Sequence, residues 1–485
     1  MRVFFIGVCG TAMGNVAVLL QKMGHEVAGS DSNVYPPMSD VLAEAGVQLF
    51  EGFAIDEMVN WQPDRVVVGN AVSRGNPQVE KLLIDRQIPF VSLPQLIGED
   101  LIGKRPSIVV AGTHGKTTTT ALAAYSLHLL GLKPGYLIGG VPLDLPAGND
   151  LGDLSAPFVI EGDEYDSAFF DKRSKFIHYR PRILILNNLE FDHGDIFRDL
   201  EDISRSFSHL LRIVPSNGYI LRNGDDSNLC DLPDTPWTQV FSVGVNPGND
   251  LVIDNFSEDA SGSRFDLVWR EEKVRHIHWG MPGLFNARNL AMAVLSTCLA
   301  QSFGQNSEKI SENPFLGTAE INYAQCRGVK RRQEVLLDMP NLVILSDFAH
   351  HPTAISGALE SLRSRWPGRK IIACFEPRSN TAVTNVFQSR FAQSLSLADH
   401  ALIGQVHRIE RIPENQRINT KGMVQLIEGQ GKLAHSFSSN HELGEFLMDK
   451  MADHSGGKAL VVFFSNGSFD GVIQQFVNFM DNQAD

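Results

Sequence analysis

The sequence predicts an α/β chain of three domains whose parallel sheets carry ligands at the ends of their strands. Three observations lead there. Short apolar, β-branched runs alternate with helical stretches along the chain, the pattern of parallel sheets covered on both faces. Several of those runs break at once into glycine turns or acidic clusters, as strands do at the crevice of an open α/β sheet. A length of 485 residues suits about three domains.

Residues 3–6 read as the first strand and 12–23 as the helix behind it. Glu26-Val27-Ala28-Gly29 is a second strand, ending at Ser30-Asp31, and Val66-Val67-Val68 is another that leads into the polar turn 69–77. The turn Gly7-Val8-Cys9-Gly10-Thr11-Ala12-Met13-Gly14 is spaced G-x-x-G-x-x-x-G. Dinucleotide binding prefers G-x-G-x-x-G, so a UDP-type nucleotide is as compatible here as NAD. Asp31 falls where a ribose- or base-binding carboxylate would lie, and it serves equally well as a turn or cap residue.

The segment 101–106 reads as a linker into a second domain. There Ile108-Val109-Val110-Ala111 is a buried strand that breaks into Gly112-Thr113-His114-Gly115-Lys116-Thr117-Thr118, followed by a helix. Strand, glycine turn, lysine, hydroxyl and helix form a phosphate-binding loop. Backbone N–H groups face the anion, Lys116 neutralises it, and Thr117 can ligate magnesium. The general motif wants glycine at position 110, where this chain has valine. Two further strands, Phe158-Val159-Ile160 and Ile183-Leu184-Ile185-Leu186, deliver acidic clusters at Glu161-Gly162-Asp163-Glu164 and Asn188-Leu189-Glu190-Phe191-Asp192-His193. Carboxylates so placed can hold Mg²⁺ near a triphosphate.

The segment 279–290 opens a helix over 291–300, with Asn289 able to meet an adenine edge or to act as a local cap. A second boundary falls near 326–328, and the basic run Lys330-Arg331-Arg332 beyond it reads as a solvated face. Strands 342–345 and 371–375 then end in Ser346-Asp347-Phe348-Ala349-His350-His351-Pro352-Thr353 and Glu376-Pro377-Arg378-Ser379-Asn380-Thr381. The third domain repeats the strand–helix alternation.

A formal net charge of −14 argues against nucleic-acid binding. Five scattered cysteines without a CxxC pair suit a reducing compartment. The N-terminal apolar run meets glycine at once, and no stretch reaches the ~18 apolar residues of a membrane span. A soluble, cytoplasmic enzyme is expected.

The motifs together resemble the ATP-dependent Mur ligases of bacterial cell-wall synthesis, over nearly the whole chain. The resemblance rests on the G-T-H-G-K-T-T loop from Gly112, E-x-D-E from Glu161, and N-x-E-x-D-H ending at His193. It also rests on Asn289, the K-R-R run, D-x-A-H-H-P-T from Asp347, and the first glycine turn with Gly29-Ser30-Asp31. It implies a Rossmann-like UDP-binding domain over 1–104, a central P-loop ATP-binding domain over 105–325 and a C-terminal Rossmann-like domain over 326–485. ATP and Mg²⁺ are the implied cofactors. Gly112, Thr113, His114, Gly115, Lys116, Thr117, Thr118, Asn289, Arg332 and Asp347 would bind ATP, with Thr117, Glu161 and His193 around the metal. Lys116, Glu161, His193 and Arg332 would be catalytic. Gly7, Gly10, Thr11, Met13, Gly14, Asp31, Asn70 and Ser73 would hold a UDP-sugar, and Arg378 and Asn380 a peptide. Some relatives bridge metals with a carbamylated lysine beyond the histidine; no lysine lies between Lys175 and Lys273, which excludes that device.

The segments 7–11, 33–38, 169–176 and 376–381 are similar to the branch of the family that recovers murein peptides. That likeness implies UDP-N-acetylmuramate and a murein tripeptide as substrates, with L-alanine as the alternative acceptor. Neither nucleic acid, membrane nor an obligatory protein partner is implied. A nucleotide-dependent switch would share the phosphate loop, but the chain has no N-K-x-D base-recognition motif.

Overall fold

The computed structural model describes residues 1–304, 313–452 and 457–483. Three large sheets organise them. The first holds five parallel strands in the order Gln48–Glu51, Glu26–Asp31, Arg2–Ile6, Arg65–Val68, Phe90–Ser92. The strand order reverses between Arg2–Ile6 and Arg65–Val68, so the turns that follow these two strands flank one crevice. Helix Thr11–Lys22 covers the sheet with Val16, Ala17, Leu19 and Leu20. Asn76 caps the helix Pro77–Asp85, its Oδ1 accepting from Gln78 N and Val79 N, with proline in the first turn.

The second sheet has ten strands. Ser107–Ala111 lies at its centre between Ile183–Leu186 and Phe158–Gly162, parallel to both. The parallel part continues outward through Tyr219–Asn223, Gln239–Gly244 and Leu251–Asp259. Gly262–Trp269 and Glu272–Trp279 then extend it antiparallel. Helices Lys116–Leu129 and Leu284–Gln301 pack together over one face and are buried over most of their length, the first with four threonines in its opening turns. The third sheet runs Glu334–Asp338, Leu342–Asp347, Ala459–Phe464, Lys370–Phe375, His400–Ile403, Leu433–Ser436. All of its pairs are parallel except the first.

Three sequence expectations are corrected. Leu101 and Ile102 are not linker: they close the helical segment Ile97–Ile102 and are buried. The helix expected over 291–300 begins at Leu284, immediately after Gly283 at φ +98°. The basic run is a solvated face only at Lys330, which is exposed; Arg331 and Arg332 are half-buried. Val329 and Gln333 are buried, and Arg331 and Gln333 adopt positive φ, turning the chain inward at Arg332. Among the described residues no helix is long and apolar enough to cross a membrane.

Candidate active site

The strand ends of all three sheets open into one cavity of about 2550 Å³. At its centre is the phosphate loop, whose two glycines are fixed by close approaches. Gly112 has φ +134°, and a Cβ there would lie 2.9 Å from the Asn188 carbonyl oxygen. Gly115 has φ +78°, and its Cβ would lie 2.5 Å from Asn289 Oδ1. Only glycine gives the loop this path. Lys116 opens the following helix, where its Nζ donates to Gly112 O at 2.7 Å and to both oxygens of Glu164 at 3.0 and 2.8 Å. Burial opposes its charge, but the carboxylates of Glu164, Asp163 and Glu161 outweigh that and hold the ammonium above the usual lysine range.

Thr117 Oγ1 donates to Glu161 Oε2 at 3.2 Å, and the other Glu161 oxygen accepts from Gly139 N. Burial raises the Glu161 carboxyl above its ordinary range, against the pull of the Gly139 N–H, Lys116 and Arg332. A half-buried carboxylate beside a threonine hydroxyl is a donor set that suits a hard divalent cation. These oxygens fit Mg²⁺.

His193, at φ +55°, packs its ring 4.5 Å from that of Tyr165 and lines the same cavity. A different trio, His114, Glu190 and His351, brings its ligand atoms within 4.8 Å of one another. Two imidazoles and one carboxylate are unlike the all-oxygen shell that Mg²⁺ favours. Glu190 is already engaged: it accepts from Thr353 Oγ1 at 2.7 Å and from Arg390 Nη2 at 3.2 Å. Burial would raise its carboxyl, but His114, Thr353 and His351 bring it down to about 2. Burial and His114 push the His351 imidazole down to about 3, so it is neutral at physiological pH.

Arg332 reaches the loop from the edge of the third sheet. Its Nη2 donates to Thr117 Oγ1 at 3.4 Å, and its guanidinium lies 4.8 Å over the Phe348 ring. Asp347 is buried beside it, accepting from Gln333 N and Ala349 N, with its carboxyl raised by burial. Thr113, His114, Thr118 and Asn289 also line the cavity, whereas Gly112 is packed against the backbone of Asn188.

On the first sheet, Gly7, Gly10, Thr11, Met13, Asp31, Asn70 and Ser73 line the cavity. Gly14 is packed against Met38: a Cβ there would stand 2.3 Å from Met38 Sδ. Asp31 accepts from Cys9 N at 2.9 Å and from Asn33 N at 3.1 Å, so it braces the glycine turn while standing at the cavity wall.

Arg378 and Asn380 line the third wall. Arg378 Nη1 donates to Glu376 Oε1 at 3.3 Å, and Asn380 Nδ2 donates to Asp195 Oδ2 at 2.9 Å. Beside them Thr381 Oγ1 donates to Asp192 Oδ1 at 2.7 Å. Segment 190–195 of the second sheet's body thus bonds at three carboxylates to the body of the third. The sequence does not single out Glu164 or Asp192, since each sits inside an acidic cluster where nothing local separates a partner from its neighbours, and Asp195 lies just beyond the second cluster.

Three models of one family match the chain: "Mur ligase family, catalytic domain" over residues 2–104, "Mur ligase middle domain" over 110–297 and "Mur ligase, glutamate ligase domain" over 331–467. The chain is 37% identical to the UDP-N-acetylmuramate–L-alanyl-γ-D-glutamyl-meso-2,6-diaminoheptandioate ligase of Escherichia coli K12, covering 100% of this chain and 99% of that one. It is 28% identical to a UDP-N-acetylmuramate–L-alanine ligase of Clostridium perfringens, over 92% of each. The crystal structure of a murein peptide ligase from Psychrobacter arcticus matches with a TM-score of 0.65 at 35% identity, covering 99% of both chains.

Proposed function

Because the chain belongs to the Mur ligase family, and is by that membership an ATP-dependent acid–amino-acid ligase, we propose that it joins UDP-N-acetylmuramate to L-alanyl-γ-D-glutamyl-meso-diaminopimelate in peptidoglycan recycling. The observation that carries this reading is the single cavity. It connects the glycine turn of the first sheet, the phosphate loop of the second, and Arg378 and Asn380 of the third. A sugar-linked carboxylate, a triphosphate and a peptide amine can meet there. The tripeptide is preferred to free L-alanine as acceptor because the similarity to the tripeptide ligase is the higher and runs the full length. The same reading divides the chain at 104/105 and 325/326 and sets the reaction in the cytoplasm, where ATP is supplied.

A carboxylate is a poor acyl donor. Its oxygen therefore attacks the γ-phosphorus, ADP leaves, and an acyl phosphate forms. The peptide amine adds to that carbonyl, loses a proton, and the tetrahedral intermediate expels inorganic phosphate. Lys116 and Arg332 neutralise the phosphate charge that would otherwise repel the carboxylate. Thr117, Glu161 and His193 would hold Mg²⁺, which would supply further positive charge beside the phosphates. Asn289 meets adenine and Asp347 lies near the ribose. Closure of the third body over the loop keeps water from the acyl phosphate.

Two results test this. With ATP and UDP-N-acetylmuramate present, the tripeptide should give a higher kcat/KM than free L-alanine. More efficient ligation of L-alanine would overturn the acceptor assignment and leave the L-alanine ligase standing. Glu161→Gln should lower Mg²⁺-dependent turnover by about 100-fold or more, as loss of a charge-stabilising group does, and His193→Ala should follow it. Near-normal turnover of the His193 variant across a Mg²⁺ titration removes that residue from the metal site.

A further inference from the structure

The side chains of His114, Glu190 and His351 meet where the second and third bodies join, and no step of the ligation above uses them. His114 belongs to the phosphate loop, and Glu190 follows the strand Ile183–Leu186. His351 comes from the third body, where it caps the helix Pro352–Arg365. One ligand atom of each lies within 4.8 Å of the other two, and the two imidazole rings stand 4.5 Å apart. His114 Nε2 is 3.6 Å from Glu190 Oε1, too long for a hydrogen bond. Thr353 and Arg390 both bond to the other carboxylate oxygen, Oε2, so Oε1 is left to face His114.

His351 is 2% exposed. Its Nδ1 lies 3.9 Å from Glu190 Oε2 and takes only a 3.4 Å contact from Thr353 N, and its Nε2 is buried with no hydrogen-bond partner among the described residues. A buried imidazole so poorly satisfied costs free energy that a ligand can return. Two imidazoles and one carboxylate, with the cavity at hand for a fourth ligand, are a donor set for Zn²⁺. Tetrahedral bonds to such a metal put its ligand atoms about 3.3–3.6 Å apart, and the pair His114 Nε2 and Glu190 Oε1 already has that spacing. Imidazole ligands favour Zn²⁺ over Mg²⁺, which keeps to oxygen.

We propose that His114, Glu190 and His351 form a site for a divalent transition metal of the Zn²⁺ class, separate from the Mg²⁺ oxygens of Thr117 and Glu161, and that the metal pins the third body to the phosphate loop. Two of the ligands move with the second body and one with the third, so a bound metal opposes their separation.

The test uses the full chain freed of metal, with Co²⁺ as the spectroscopic probe. Wild type should bind one equivalent with the intense visible absorption of four-coordinate Co²⁺; Zn²⁺ should abolish the band and excess Mg²⁺ should not. His351→Asn keeps a capping acceptor for Thr353 N, and Glu190→Gln keeps one for the Thr353 hydroxyl. Each should weaken Co²⁺ by more than about 100-fold, since even a residue behind a ligand is worth about 10–100-fold. Zn²⁺ should also slow amide hydrogen exchange over 348–354 in wild type and in neither variant. Absence of the band, a band unchanged in both variants, or exchange indifferent to Zn²⁺ overturns the proposal. Where one variant fails to fold, the other decides. Neither readout depends on the ligase reaction.

Discussion

Lys116→Ala should reduce turnover by at least about 10³-fold, since an anion-stabilising donor alone is worth about 10²–10³, and it should destabilise the fold as well. The second effect follows from Glu164, whose side chain is 3% exposed and has Lys116 as its cation. Removing one partner of a buried pair leaves the other charged and unsolvated, at about 3–5 kcal/mol. The single variant therefore mixes two losses. Lys116→Met with Glu164→Gln separates them, because the second change removes the stranded charge. Thermal midpoint should recover in the double variant while turnover stays at background. Recovery of turnover along with the midpoint would reduce Lys116 to a structural role.

Arg332→Ala should cut kcat by about 10²-fold, or ~3 kcal/mol of barrier, with UDP-sugar binding unchanged. Its guanidinium touches Thr117 Oγ1 within the phosphate loop, far along the chain from the Asp31 and Asn70 turns. Asp347 would keep its two backbone donors from Gln333 and Ala349, so the fold should persist. Single-turnover rates at saturating UDP-sugar, set beside its directly measured Kd, decide the matter. A variant that loses only UDP-sugar affinity would show that Arg332 does not act on phosphate.

Parallel strands were legible because strands covered on both faces need apolar residues at every position. Ile108-Val109-Val110 and Ile183-Leu184-Ile185-Leu186 declare themselves, and the structure has them as paired neighbours. The strand Glu272–Trp279 does not. It reads Glu-Lys-Val-Arg-His-Ile-His-Trp, with most of its length at the surface, and its place comes from pairing with Gly262–Trp269. The phosphate loop and Glu161 were legible for a local reason, glycines and carboxylates at strand ends. Arg332 was not legible from charge. A basic run is ordinarily solvated, and the Phe348 ring that receives this arginine lies on a later strand end. Only the family resemblance pointed it inward.

The bonds from 190–195 to the third body behave as a fastener. Glu190, Asp192 and Asp195 meet Thr353, Thr381 and Asn380, all neutral, and Arg390 supplies the one ionic link. Hydrogen bonds of this kind are worth about 1.5–3 kcal/mol each, enough together to fix the register of the two bodies when they meet. Salt weakens only the Arg390 strand of this joint, since screening acts between charges and hardly on a hydroxyl. A joint made of neutral donors on carboxylates with one ion pair is expected to hold its alignment at nearly the same cost whatever the ionic strength around it.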